Sequence, residues 1–144
     1  MKIIFFGTPL FAVPVLKELR KNNNFDITAI FSGNGPVAQE AEKLGIKTFK
    51  PKSLKKEGEI FEQFKSLNPD ICVVAAYGKI IPPRYLDIPK YGFLNIHPSL
   101  LPKYRGPSPV QTAILNGDKE TGVSIIVVDE KVDHGPVLVS QEFP

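Results

Sequence analysis

Tryptophan is missing from this 144-residue chain, and methionine and cysteine each occur once. The single cysteine, Cys72, rules out an intrachain disulfide and favours a reducing compartment. It lies inside the apolar run Ile71-Cys72-Val73-Val74-Ala75-Ala76, which makes it a core thiol and not a nucleophile. No apolar run reaches membrane length: Lys2 to Phe6 is broken at Gly7, with no signal-peptide pattern. The expected location is therefore the cytoplasm, with no membrane partner. Internal repeats and low-complexity tails are also lacking. Charge of one sign is scarce, because eighteen Lys and Arg against fifteen Asp and Glu leave a formal net charge of +3. That balance allows an anionic partner without pointing to one.

The 42% hydrophobic content is enough for one sizeable core and too little chain for two comfortable domains, so residues 1–144 are expected to form one catalytic domain. Proline and glycine are plentiful, fourteen and eleven, and they fall between apolar runs. Lys2 to Phe6 reads as a strand buried on both faces, and Phe11 to Arg20 follows at helical spacing. Asp26 to Phe31 is the next strand, Val37 to Leu44 a helix stopped by Gly45, and Ile46 to Phe49 a short strand. Glu57 to Leu67 carries Ile60, Phe61, Phe64 and Leu67 at helical intervals, and Ile71 to Ala76 is again a strand. Proline-rich residues 79 to 92 form a short helix and loop before a strand at Phe93. Val110 to Leu115 begins a helix ended by Asn116-Gly117. The β-branched Thr121 to Val128 and the segment Pro136 to Phe143 make an antiparallel arm around an acidic loop. This alternation predicts an α/β fold, a Rossmann-like, mainly parallel sheet flanked by helices with that arm at its end. The first turn, Phe6-Gly7-Thr8-Pro9, has one glycine where a dinucleotide fingerprint needs two or three, so nicotinamide cofactors are not expected.

Chemistry concentrates in Asn95-Ile96-His97-Pro98-Ser99-Leu100-Leu101-Pro102. Strand alternation puts Asn95 and His97 on one side, at a strand end where ligands of open α/β sheets collect. A bland reading competes, in which the two polar residues merely cap a turn. Asp129 and Asp133 lie in the acidic loop. An Asn, a His and an Asp can run acyl transfer: the amide stabilises charge on a carbonyl oxygen, and the imidazole moves the proton of an attacking amine. Spacing alone does not bring Asp133 to His97. His134 is read as an exposed loop residue, and Asp129 as a residue that orders its loop.

The series Phe6-Gly7-Thr8-Pro9, Ala76-Tyr77-Gly78, Asn95 through Gly106, Glu120-Thr121-Gly122-Val123 and Asp133-His134-Gly135-Pro136 resembles the formyltransferase family that uses 10-formyltetrahydrofolate. The resemblance implies that Asn95, His97 and Asp133 are catalytic. It implies that Ser99, Leu100, Leu101 and Pro102 line the folate site, with Tyr77, Gly78 and Ile80 at the same pocket and backbone around Asp129 helping to hold the pterin. Tetrahydrofolate would leave as the acceptor amine attacks the formyl carbon; no metal is expected. Thr8, Pro9 and Phe11, with Arg105 and Gly106 in Arg105-Gly106-Pro107-Ser108-Pro109-Val110-Gln111, resemble the branch whose acceptor is initiator methionyl-tRNA. Two alternatives stay open: an amino sugar or other small amine as acceptor, and a catalytically silent domain that binds folate or a partner.

Two departures from the family pattern carry expectations. Only Ser32-Gly33-Asn34-Gly35 separates Phe31 from Pro36, and no lysine or arginine occurs from Phe31 to Glu42, so tRNA binding is expected to be weak. The chain also stops at Pro144, where the resemblance implies a longer catalytic domain and a C-terminal tRNA-binding barrel. The expectation is a C-terminally truncated monomer, prone to self-association through an uncovered apolar face.

Overall fold

The first strand, β1 (Lys2–Gly7), runs through the centre of the first half of the molecule with Ile3 to Phe6 wholly buried. A computed structural model describes residues 1–56 and 58–144, and it divides into two compact units, Met1–Phe93 and Leu94–Pro144.

In the first unit, β1 pairs in parallel with β2 (Asp26–Phe31) on one side and β4 (Ile71–Ala75) on the other. The two-residue β3 (Thr48–Phe49) lies parallel to β2 at the edge. Burial on both faces explains why β1 and β4 read as nearly unbroken apolar runs, while β2 is fully buried only from Ala29 onward. Phe6 organises the packing: its ring stacks on Phe31 at 4.8 Å and meets Tyr77 edge-on at 5.2 Å. Phe64 and Phe93 complete the cluster. Such aromatic pairs add about 0.5–1.5 kcal/mol each beyond the area they bury.

Among the described residues, four α-helices belong to this unit: α1 (Val13–Lys21), α2 (Pro36–Lys43), α3 (Glu59–Ser66) and α4 (Pro83–Leu86). Several boundaries differ from the sequence expectation, most by a single residue. A single 3-10 turn, Leu10–Ala12, precedes α1, closed by the Ala12 N–H on the Pro9 carbonyl at 3.0 Å. β3 starts at Thr48 and not at Ile46, because the Ile46 N–H closes α2 on the Ala41 carbonyl at 3.0 Å. The helix expected from Glu57 begins at Glu59, and Glu57 lies outside the described residues. Cys72 is fully buried in β4, and burial holds its thiol well above the ordinary value of 9.0.

In the second unit, β5 (Phe93–His97), whose first residue closes the first unit, pairs antiparallel with β6 (Thr121–Val127). β6 in turn pairs antiparallel with β7 (Val137–Phe143), as the predicted arm requires. The register sets His97 opposite Ser124 and Asn95 opposite Ile126. The helix α5 (Pro109–Leu115) fills the β5–β6 connection. No helix among the described residues is long and apolar enough to cross a membrane.

Candidate active site

Asn95, His97 and Asp133 meet in the second unit. β5 delivers Asn95 and His97, and the β6–β7 connection delivers Asp133. That connection can fold back because Gly135 passes directly over the Val127 carbonyl, where any side chain would collide. The Val127 N–H donates to the Pro136 carbonyl at 2.9 Å and fastens the return. Asp133 itself takes a left-handed backbone, φ 53°, a conformation that Asp and Asn tolerate better than most residues.

The Asp133 carboxylate is the hub. Oδ1 accepts from Asn95 Nδ2 at 3.3 Å, and Oδ2 accepts from the Gly106 N–H at 2.8 Å. Arg105 Nε donates to the Asp133 main-chain carbonyl at 3.2 Å. The nearest approach of the carboxylate to the imidazole is 3.6 Å, from Oδ2 to Nδ1 of His97. That is an ion-pair separation rather than a hydrogen bond.

His97 is buried, and its Nε2 lies 2.8 Å from the Tyr104 carbonyl. A carbonyl can only accept, so Nε2 carries hydrogen and Nδ1 keeps the lone pair of the neutral ring. Nδ1 is thus the basic nitrogen, and a proton taken there would sit beside the Asp133 carboxylate. Asn95 has a second amide hydrogen beyond the one given to Asp133. The arrangement offers a donor for charge developing on a carbonyl oxygen and a base for a proton leaving an amine.

The segment after β5 is fixed by a residue that the sequence reading passed over. Ser124, fully buried on β6, donates from Oγ to the Ser99 carbonyl at 2.7 Å and accepts from the Leu101 N–H at 3.1 Å. Its Oγ also lies 3.0 Å from that of Ser140. Ser99 Oγ donates to the Lys103 carbonyl at 2.6 Å. Leu100 and Leu101 are half-buried in this loop; Pro102, joined to Leu101 by a cis bond, is exposed. The signal for Ser124 was a lone hydroxyl on the buried phase of an otherwise apolar strand. Asp129 is exposed and orders its own loop, its Oδ1 accepting from the Lys131 N–H at 2.8 Å. His134 is exposed, as expected.

The other named residues belong to the first unit, at the carboxyl ends of its strands. Thr8, just after β1, ties three of its loops together. Its hydroxyl accepts from the Gly33 N–H at 3.0 Å and lies 3.4 Å from the Tyr77 carbonyl. Its own carbonyl accepts from the Val37 N–H at 3.1 Å. Pro9, Phe11 and Gly78 are exposed, as is Ile80. Tyr77 turns its ring into the aromatic core, where burial, and then the neighbouring Tyr85, push its phenol up to about 12. Among the described residues no group of three or more His, Cys, Asp or Glu side chains could hold a metal ion.

Comparison with known proteins adds a family to this geometry. The family model described as formyl transferase matches residues 1–144. Methionyl-tRNA formyltransferase of Thermus thermophilus is 49% identical over 156 aligned positions, which cover 100% of this chain and 50% of that protein. The chain therefore spans about half the length of the curated relatives it matches. Phosphoribosylglycinamide formyltransferase from Brucella melitensis superposes with a TM-score of 0.81 at 30% identity, covering 99% of this chain and 79% of the other. Its counterpart from Bacillus halodurans shares the fold with a TM-score of 0.85 at 22% identity, over 99% and 79% of the two chains.

Proposed function

The chain belongs to the formyl transferase family, and on that premise we propose that it takes part in moving a formyl group from 10-formyltetrahydrofolate to the amino group of initiator methionyl-tRNA. The observation that carries the reading is the Asp133 carboxylate, which orients the Asn95 amide and faces Nδ1 of His97. The donor set fits a formyl donor, since one hydrogen of the Asn95 amide and the lone pair of Nδ1 have no other task. 10-Formyltetrahydrofolate supplies the formyl carbon. Asn95 holds negative charge on the carbonyl oxygen, and His97 receives the proton of the attacking amine at Nδ1, with Asp133 balancing the imidazolium. His97 would return that proton to the folate nitrogen as its bond to the formyl carbon breaks. The segment Ser99 to Pro102, fastened by Ser124, and backbone near Asp129 are the parts of this unit assigned to the folate. The exposed Arg105, anchored through Nε on the Asp133 carbonyl, is assigned to the acceptor.

The acceptor assignment draws support from the Thermus relative's name and from Arg105-Gly106-Pro107-Ser108-Pro109. In this reading the protein is cytoplasmic and monomeric, and its tRNA contact is weak at the uncharged loop from Ser32 to Gly35. The test is transfer of labelled formyl to methionyl initiator tRNA, comparing this chain with its His97→Ala variant. Label on the methionyl amine, lost by at least about a hundredfold in the variant, supports the proposal. Equal transfer by both chains refutes the mechanism. Label passing to an amino sugar and not to the tRNA refutes the acceptor.

A further inference from the structure

Tyr104 sits in the loop after β5 with a left-handed backbone, φ 56°, which a residue with a side chain keeps only when its surroundings hold it. The hold is visible at the other end of the residue. The phenolic hydroxyl donates to Oδ2 of Asp118 at 2.6 Å and accepts from Asn116 Nδ2 at 2.9 Å. Lys103 Nζ reaches the same Asp118 oxygen at 2.8 Å. Asp118 is in turn placed by the way α5 ends. Gly117 turns left-handed, φ 67°, and donates to the Ile114 carbonyl at 3.0 Å, while the Asp118 N–H donates to that of Ala113 at 3.0 Å. These paired bonds are the Schellman closure of a helix. At the site end, the carbonyl of the same Tyr104 receives Nε2–H of His97 at 2.8 Å.

We propose that Asp118 is a positioning residue for His97, acting through Tyr104. The carboxylate at the end of α5 anchors the phenol, and the anchored residue aims its carbonyl at Nε2. That contact keeps the hydrogen on Nε2 and leaves Nδ1 as the base facing Asp133. The proposal rests on the role given to His97 above, yet its structural half is measurable without any turnover. A plain surface ion pair between Lys103 and Asp118 would steady the loop and leave the ring indifferent. The ring is therefore the place to look.

The test records the nitrogen-15 spectrum of the two histidine rings at neutral pH in the whole chain, with exposed His134 as the internal reference. The unaltered chain is expected to show His97 with hydrogen fixed on Nε2. Asp118→Ala and Tyr104→Phe are expected to mix the two ring forms and to lower kcat for formyl transfer by about ten- to a hundredfold, with KM moving less than about twofold. Asp118→Asn, which still accepts from the phenol, is expected to restore the single ring form. Lys103→Ala is expected to leave it unchanged. A folded Asp118→Ala or Tyr104→Phe chain with an unaltered His97 spectrum overturns the proposal, as does loss of the ring form in Lys103→Ala alone. Absence of turnover in every chain, the unaltered one included, refutes the formyl-transfer reading, and the ring spectrum still decides this one.

Discussion

Asn95 donates its side-chain amide to Oδ1 of Asp133 at 3.3 Å across 38 positions of chain. One hydrogen is committed to the carboxylate, which fixes the rotamer, and the other is left for a carbonyl oxygen. Asn95→Ala is therefore expected to lower kcat by about 10²–10³-fold, the usual effect of removing one such donor. Its thermal unfolding should remain close to that of the parent. A loss smaller than about tenfold in a labelled-formyl assay would remove Asn95 from the chemistry.

Asp133→Asn removes the charge and one of the two acceptors while keeping the backbone. Asparagine tolerates the left-handed backbone at this position and can still accept from the Gly106 N–H, but its amide nitrogen then faces that of Asn95, whose acceptor is lost. The chain should fold with an unchanged urea midpoint. Transfer should fall by about 10²-fold or more, because the imidazolium at His97 loses its counter-charge and the Asn95 amide its acceptor. Steady-state rates near the parent value would show that the carboxylate serves only to shape the loop.

Gly135→Ala probes the return of the chain over β6. The added methyl would meet the Val127 carbonyl, so the loop must shift and carry Asp133 away from Asn95. The expected cost is about 1–3 kcal/mol of stability, in line with overpacking elsewhere. Transfer should be nearly abolished in the fraction that stays folded. An unshifted denaturation midpoint would contradict the close approach.

Ser124→Ala leaves the Leu101 N–H without its acceptor inside the protein and removes the donor to the Ser99 carbonyl. A buried polar group stranded in this way costs about 1–3 kcal/mol. Amide hydrogen exchange at Leu101 should quicken while exchange in the first unit stays as it was. Slow exchange at Leu101 in the variant would show that another group holds the loop.

Acid should loosen the end of α5 late. The Asp118 carboxyl is held below its ordinary value of 3.8, first by the hydrogen bond from Lys103 and then by that from Tyr104. A carboxyl lowered by folding stabilises the folded form fully above its ordinary value, and that contribution disappears as pH falls through the lower folded value. The charged Lys103–Asp118 contact should thus persist down to 3.8 and weaken only beneath it, while a neutral carboxyl can still accept from the Tyr104 phenol. Carbon-13 titration of the Asp118 carboxyl checks this, and a midpoint at or above 3.8 would refute it.

Much of this architecture could be read from residue patterns, and what could not has identifiable causes. The strands Lys2–Gly7 and Ile71–Ala75 announced themselves because burial on both faces leaves almost no polar phase. The motif run named Asn95 and His97, and the Asp133-x-Gly135 pattern named the carboxylate. The spacing did not contain the meeting of Asp133 with Asn95, which depends on Gly135 clearing a carbonyl of a strand laid down earlier. Asp118 escaped notice for a related reason. Asn116-Gly117-Asp118 reads as a helix stop, which it is, and its use as an anchor depends on a tyrosine from the loop before α5. Ser124 looked like strand filler because its partners are backbone groups, which leave no trace in side-chain pattern. At α2, the local closure of the helix decided a boundary, since the Ile46 N–H is spent on the Ala41 carbonyl and Ile46 is lost to β3.

A chain with no tryptophan and four tyrosines reports on itself through its phenols. Tyr77 and Tyr85 are buried with hydroxyls that have no hydrogen-bond partner among the described residues, and both phenols are raised, Tyr77 to about 12. Their phenolate absorbance should appear only in strong alkali, when the aromatic cluster around Phe6 lets solvent in. Ultraviolet titration thereby becomes a label-free gauge of that cluster's integrity, usable on every variant named above.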